Sequence, residues 1–237
     1  MGETMRSIAD NPYLNIGGGN FIHECWMNLD YPFPAQERKR DFSLIDIPHN
    51  LMECKPIPVP DGCFEGVYTE HCIEHLPVRQ VEYLFGEVHR ILKAGGVFRV
   101  SCPDAEKVWA SYKRGEWESW PKSWKHGNAE DSMLDVVATP LRGQEPARTI
   151  VRQDDMVGAL GDLEGILSVT MEDQAARPGG HLSAWTAEKL VGLMSDAGLA
   201  NAAPSIPRGS KLKAFRAAYI DKTQHKWSVY VEGTKDA

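Results

Sequence analysis

Residues 64–101 read FEGVYTEHCIEHLPVRQVEYLFGEVHRILKAGGVFRVS, and this stretch decides the fold. Phe64, Val67 and Tyr68 mark a strand over Phe64–Thr69. Val81, Leu84, Phe85, Val88, Ile91 and Leu92 then fall on one face at helical spacing. Pro77 stands near the start of that helix, where a missing N–H costs little. Gly95-Gly96 is expected to end it, with Val97–Val100 following as a strand. Burying six such side chains is worth roughly 9–18 kcal/mol gross, at ~1.5–3 each. Conformational entropy offsets most of that, but the helix must pack on something. Strand, helix and strand with tight links are the signature of a parallel sheet covered by helices.

Upstream, Tyr13-Leu14-Asn15-Ile16 is a short apolar run that stops at Gly17-Gly18-Gly19, a buried strand entering a glycine turn. Trp26–Leu29 reads as a second strand closed by Asp30, and Phe42–Ile47 as a third. Pro56, Pro58 and Pro60 make Lys55–Gly62 an extended loop. A full helix of ~10–12 residues does not fit between Gly19 and Trp26, so the first helix is expected to be short or absent. Downstream, Thr186–Ala197 looks helical, with Leu190, Leu193, Met194 and Ala197 as its apolar stripe and Gly198 as its stop. Lys211–Ala218 reads as a short helix and Trp227–Val231 as a last strand. Residues 105–180 are rich in tryptophan, charge and glycine, and their pattern is broken. They are expected to form an insertion or lid within a single domain spanning 1–237, the number of domains that this length suggests.

Composition narrows the function. Lys plus Arg is 26 against Asp plus Glu 33, a net charge of -7, which argues against a general nucleic-acid binder. No apolar run approaches the ~20 residues of a membrane-spanning helix. Met1–Asn11 is polar and lacks the apolar core of a signal peptide. The cysteines number 5, are scattered and form no C-x-x-C pair. Reduced thiols in a cytoplasmic protein are the simplest reading, with neither disulfides nor a cysteine-based zinc site.

The glycine turn lets backbone N–H groups approach a ligand closely. An acid closing the next strand, Asp30, can accept two hydrogen bonds from ribose hydroxyls. A dinucleotide enzyme would want G-x-G-x-x-G with its acid ~20 residues on. Here Ile22 holds the third glycine position and the acid comes too soon.

Taken in order, three motifs resemble those of the class I S-adenosylmethionine-dependent methyltransferases, in their compact, small-molecule, type 11-like branch. They are Leu14-Asn15-Ile16-Gly17-Gly18-Gly19-Asn20 followed by Asp30, the strand into His71-Cys72-Ile73-Glu74-His75-Leu76, and the helix ending Arg90-Ile91-Leu92-Lys93-Ala94-Gly95-Gly96. Ala94 replaces the family's usual proline. Ala197–Leu199 and Val231-Glu232 resemble the family's C-terminal stretch. The resemblance covers about residues 13–104 and 181–233. It implies an α/β, Rossmann-like fold: a seven-stranded, mostly parallel sheet with helices on both faces and the Trp-rich insertion after the fifth strand. It also implies S-adenosyl-L-methionine as cofactor and a small-molecule acceptor.

Carried onto this chain, Gly17, Gly18 and Gly19, with Asn20, would hold the methionine end, and Asp30 the ribose. The family's His-Asp-Leu after the third strand becomes His49-Asn50-Leu51. Asn50 retains an acceptor carbonyl for the adenine amine, Leu51 lies beside it, and Asp46 is a competing candidate. Glu65 stands where the family usually has Asp before the fourth strand. Glu70 and His71 would face cofactor and acceptor. A hydroxyl acceptor, such as one on a sugar or saccharide intermediate, needs a general base. His71 is the first candidate, with Glu70 and His181 in reserve.

Two other readings stay open. His71-Cys72-Ile73-Glu74-His75 also matches H-x-x-E-H, a zinc hydrolase motif. Such a site needs both histidines on one helical face, whereas His71 follows a strand and Pro77 suits a helix start, so no metal is expected. His75 and Glu74 would then merely cap and pack the turn. The chain could also bind the cofactor without catalysis. Trp109, Trp117, Trp120, Trp124 and Tyr112 suit either a pocket wall or lid packing, with packing favoured. Lys107, Lys113, Arg114, Lys122 and Lys125 are offset by Glu106, Glu116 and Glu118, as on a solvated face.

Overall fold

The protein is described here by a computed structural model covering residues 7–21, 23–34, 41–223 and 225–236. The polar start over Met1–Arg6 and the Ile22 position lie outside the described residues. Strands run in the order β3-β2-β1-β4-β5-β7-β6: β1 Tyr13–Ile16, β2 Trp26–Asp30, β3 Ile47–Pro48, β4 Phe64–Glu70, β5 Leu92–Pro103, β6 Leu199–Pro204 and β7 Ser228–Lys235. All neighbours pair in parallel except β7, which runs antiparallel to β5 and β6. This is the seven-stranded, mostly parallel sheet that the sequence predicts.

The period-2 alternation of the strands assigns the two faces. Leu14, Ile16, Leu29, Val67, Phe98 and Val100 join one apolar cluster. Into it pack α1 (Val78–Ile91), through Val81, Leu84, Phe85 and Val88, and α7 (Ala187–Asp196), through Leu190 and Met194. Trp26, Tyr68 and Val97 point the other way, onto Phe215 and Ile220. That second face is covered by residues 205–223, which include the 3-10 turn Lys213–Arg216. With both faces covered, even the polar strand residues Asn15, Asn28, Arg99 and Ser101 are buried, as expected where a mostly parallel sheet is covered on both sides. Among the described residues only turns separate β1 from β2, as the missing room for a first helix predicts.

Several boundaries differ from expectation. The third strand is Ile47–Pro48, and Phe42–Leu44 is a 3-10 turn capped by Asp41. Asp41 accepts from Ser43 N, and a short polar side chain bonding its own backbone competes with strand geometry. Gly95-Gly96 does not end α1. Leu92 is already extended, and both glycines lie inside β5. Leu92 pairs with Phe64 but Val97 with Gly66, so the extra residues bulge out, and Gly95 sits there at φ +75°. Glycine punctuates bulges as well as helix ends, and the sequence pattern does not tell the two apart. Trp227 closes a 3-10 turn and the last strand starts at Ser228.

Residues 105–176 fold as α2 (Ala105–Lys113), α3 (Ala129–Val137), α4 (Glu145–Val151), α5 (Met156–Ile166) and α6 (Met171–Ala176). They enclose an apolar cluster of their own, with Trp109, Trp120, Trp124, Met133, Leu134 and Leu163 at its centre. The tryptophans thus pack the helices, and Trp120 Nε1 donates to Ser111 Oγ at 2.9 Å. The interleaved cations form surface pairs such as Arg114–Glu116 and Lys107–Asp104. The segment leaves and rejoins the sheet at one place: Asp104 and Trp185 form a parallel bridge, and Ala105 N donates to Trp185 O at 2.9 Å. Among the described residues no helix is long and apolar enough to cross a membrane, and all the cysteines are free.

Asp131 clamps α3 to α4. Its carboxylate accepts from Arg148 Nε (2.9 Å) and Nη2 (2.6 Å), Gly143 N (3.0 Å) and Asn128 Nδ2 (3.0 Å). The Arg148 hydrogen bonds hold its pKa at about 2, below the usual 3.8. A carboxyl lowered on folding stabilises the fold above its unfolded pKa. That contribution is lost as pH falls from 3.8 through about 2. Hydrogen exchange should show α3 and α4 losing protection over this range, and Asp131→Asn should abolish the dependence while weakening protection at neutral pH.

Candidate functional site

A cleft of ≈ 520 Å³, open to solvent, lies at the carboxyl ends of β1, β2, β3 and β4. Open α/β sheets place ligands at such strand ends. Gly17 from β1, Asp30 from β2, Asn50 and Leu51 after β3, and His71 after β4 all line it. Five of the residues singled out from the sequence, spread over positions 17–71, therefore meet in one cavity.

The glycine turn is built by packing as much as by backbone freedom. Gly17 has φ +72°, and a Cβ there would lie 2.5 Å from Cys72 Sγ. A Cβ on Gly18 would lie 2.8 Å from Asn28 Oδ1. Gly17 N donates to Leu29 O at 2.8 Å, tying the turn to β2. Asp30 completes the tie: Oδ2 accepts from Gly19 N at 2.9 Å and Oδ1 from Tyr31 N at 2.8 Å. The carboxylate thus points at the bend, borders the cleft, and braces the loop as well as being placed to meet a ligand.

Asn50 caps the 3-10 turn Leu51–Glu53 by accepting from Met52 N at 3.0 Å, which leaves its Nδ2 donors and a second lone pair on Oδ1. Asp46, the competing candidate, accepts from Asn28 N at 2.8 Å and does not line the cleft. Asn20 is exposed and accepts from Asp41 N at 3.1 Å, while Gly18 and Gly19 sit behind Gly17.

The three base candidates separate. Glu70 turns from the cleft and accepts from Thr223 N at 2.6 Å. His181 is buried behind His75, with ring centroids 5.1 Å apart. His71, in the left-handed region at φ 48°, lines the cleft. Its Nδ1 lies 3.2 Å from Glu74 Oε1, and its Nε2 lies 2.8 Å from Ser228 Oγ. A carboxylate only accepts, so the Nδ1 facing it carries the proton. Burial lowers the His71 pKa, but the Glu74 contact outweighs it and the net shift is upward. Burial likewise raises the Glu74 carboxyl, and the neighbouring His71 overcomes this and holds it at about 2. The H-x-x-E-H helix does not form: Ile73–His75 is a single 3-10 turn, and Glu74 rather than His71 groups with His75.

Sequence reasoning missed part of the wall. Tyr31 and Phe33, edge to face at 4.8 Å, follow directly on Asp30 and were legible as strand-end neighbours. His75 and Leu76 line the cleft from the turn that the sequence reading gave to capping. Gln174 and Pro178 arrive from the far end of the helical segment, and no local pattern marks them.

Residues 31–100 match the family model described as Methyltransferase domain. No curated protein is matched. Among solved structures, a SAM-dependent methyltransferase from Archaeoglobus fulgidus is 11% identical, with 94% of this chain and 85% of that one covered and a TM-score of 0.46. A possible histamine N-methyltransferase from Thermotoga maritima is 15% identical, with 94% and 82% covered and a TM-score of 0.43. PigF with SAH is 13% identical over 96% of this chain, at a TM-score of 0.44. The chain spans 57% of the PigF chain and 48% of the CurJ carbon methyltransferase chain. Residues 31–100 are thus similar to the Methyltransferase domain family, and they lie within a Rossmann-like, seven-stranded, mostly parallel sheet.

Proposed function

We propose that the chain transfers a methyl group from S-adenosyl-L-methionine to a small-molecule acceptor. One observation carries the reading: the Asp30 carboxylate is bonded to the glycine turn at the rim of a cleft made by four strand ends. The Asp30 carboxylate would accept the two ribose hydroxyls, and Asn50 and Leu51 would meet the adenine, against the apolar wall of Tyr31 and Phe33. The sulfonium of the cofactor supplies an electrophilic methyl, so the protein's work is to align the acceptor and exclude water.

For the acceptor we favour a hydroxyl, on a sugar or saccharide intermediate. His71 would be its base. Glu74 behind Nδ1 orients the ring and stabilises the charge that forms when Nε2 takes a proton. The acceptor hydroxyl would have to displace Ser228 Oγ from Nε2, which it now holds at 2.8 Å. Residues 105–180, which send Gln174 and Pro178 to the cleft, would select the acceptor as a lid.

Calorimetry with S-adenosylmethionine and with its demethylated product tests the reading. Saturable binding of both is expected. Absence of heat from either ligand at millimolar concentration would remove it.

A further inference from the structure

Behind the cleft a second set of groups converges. A carboxylate oxygen of Glu74 and one ring nitrogen each of His75 and His181 lie within 4.8 Å of one another. The residues come from two segments that are locked together. Leu182 N donates to Glu74 O at 2.6 Å, and Ser183 Oγ donates to Ile73 O at 3.2 Å.

The hydrogen bonds fix both rings in the form that binds metal. His75 Nδ1 faces Gly180 O at 3.1 Å, and His181 Nδ1 faces Val136 O at 2.8 Å. A carbonyl only accepts, so in each ring Nδ1 carries the hydrogen and Nε2 keeps the lone pair. Histidine ligands are ordinarily held this way, with the other ring nitrogen donating to a carbonyl or carboxylate.

Glu74 supplies the independent observation. It is 1% exposed, and neither carboxylate oxygen receives an aligned hydrogen bond. The nearest cationic partner, His71 Nδ1, makes an ion pair at 3.2 Å with Oε1 and leaves Oε2 without a donor. A buried carboxylate with an orphaned oxygen and two imidazole lone pairs beside it calls for a cation.

We propose that Glu74, His75 and His181 bind a divalent transition ion of the zinc class. Two histidines and one carboxylate are a known zinc donor set, with the fourth position left open. Imidazole ligands favour such ions over magnesium. Zinc bonds of ~2.0–2.2 Å are compatible with three donor atoms that all lie within 4.8 Å of one another. The ligand set differs from H-x-x-E-H, in which His71 would be a ligand and Glu74 a base. It is also independent of methyl transfer, since cofactor binding can be read separately on the same sample.

The test uses the full chain stripped of metal. Titration with Co²⁺ should give one equivalent bound, with the visible absorption of a four- or five-coordinate site, displaced by Zn²⁺ and untouched by Mg²⁺. Loss of an outer partner typically costs 10–100-fold in metal affinity, so Glu74→Gln and His181→Gln should each lower it about 100-fold or more. A second readout on the wild-type chain does not depend on the folding of either variant. Zn²⁺ should shift the Nε2 resonances of His75 and His181 in nitrogen NMR. No uptake of Co²⁺ by the wild type, undiminished uptake by folded His181→Gln, or a Zn²⁺ shift at His71 in place of His181 would each overturn the proposal.

Discussion

Arg99→Met should lower the stability of the fold by about 3–5 kcal/mol, the usual cost of removing one partner from a buried ion pair. Arg99 and Asp221 are both 0% exposed. Arg99 Nη2 lies 2.5 Å from Asp221 Oδ2, and its Nε lies 3.1 Å from the same oxygen. Further bonds run from Nη1 to Ser205 Oγ at 3.1 Å and from Nη2 to Ile206 O at 2.7 Å. These contacts fasten residues 205–223 over the second face of the sheet. The variant would leave Asp221 with only Tyr68 OH and Arg208 N as donors. Urea denaturation should show a lower midpoint with an unchanged slope. Adding Asp221→Asn, which removes the stranded charge and tolerates the φ of 53° at that position, should recover part of the loss. Equal stability of Arg99→Met and wild type would show that the pair contributes nothing net.

Asp30→Ala should weaken S-adenosylmethionine binding by roughly 100-fold to 10⁴-fold. The figure follows from two hydrogen bonds to a charged acceptor at ~1.5–3 kcal/mol each, with ~1.4 kcal/mol per tenfold. Part of the effect would be indirect, because Asp30 also holds Gly19 N at 2.9 Å. Asp30→Asn separates the two contributions. Its amide oxygen can still accept from Gly19, so the turn should survive while the charge is lost, and its affinity should fall between wild type and Asp30→Ala. Calorimetry reads the affinities, and thermal melting without ligand reads the turn. Unchanged affinity in Asp30→Ala would remove the ribose assignment.

The sheet was legible wherever the period was strong. Tyr13–Ile16, Trp26–Asp30, Phe64–Glu70 and the helix ending at Ile91 emerge from apolar spacing alone, because each buries a whole face or stripe. Gly95 was misread because a left-handed glycine serves a bulge as readily as a helix end. The cleft was half legible. Gly17, Asp30, Asn50, Leu51 and His71 follow strand ends and were found there. Gln174, Pro178 and the Glu74–His75–His181 group depend on contacts more than a hundred residues apart in sequence, such as Ser183 with Ile73, and no window of local sequence carries them. Glu70 shows the opposite failure. It ends a strand beside His71, but successive strand residues point to opposite faces, which sends it to Thr223 instead.

The bridge between Asp104 and Trp185 also bears on how such a chain can change. Two points that touch can be joined by any length of polypeptide, and each doubling of that length adds only about 0.6 kcal/mol of closure entropy. Changes of length in the stretch between them therefore add little closure entropy. Gln174 and Pro178 belong to that stretch and line the cavity, while Leu182 and Ser183 near its end bond to Glu74 and Ile73, so a splice that keeps those last residues changes what enters the cavity and spares its floor.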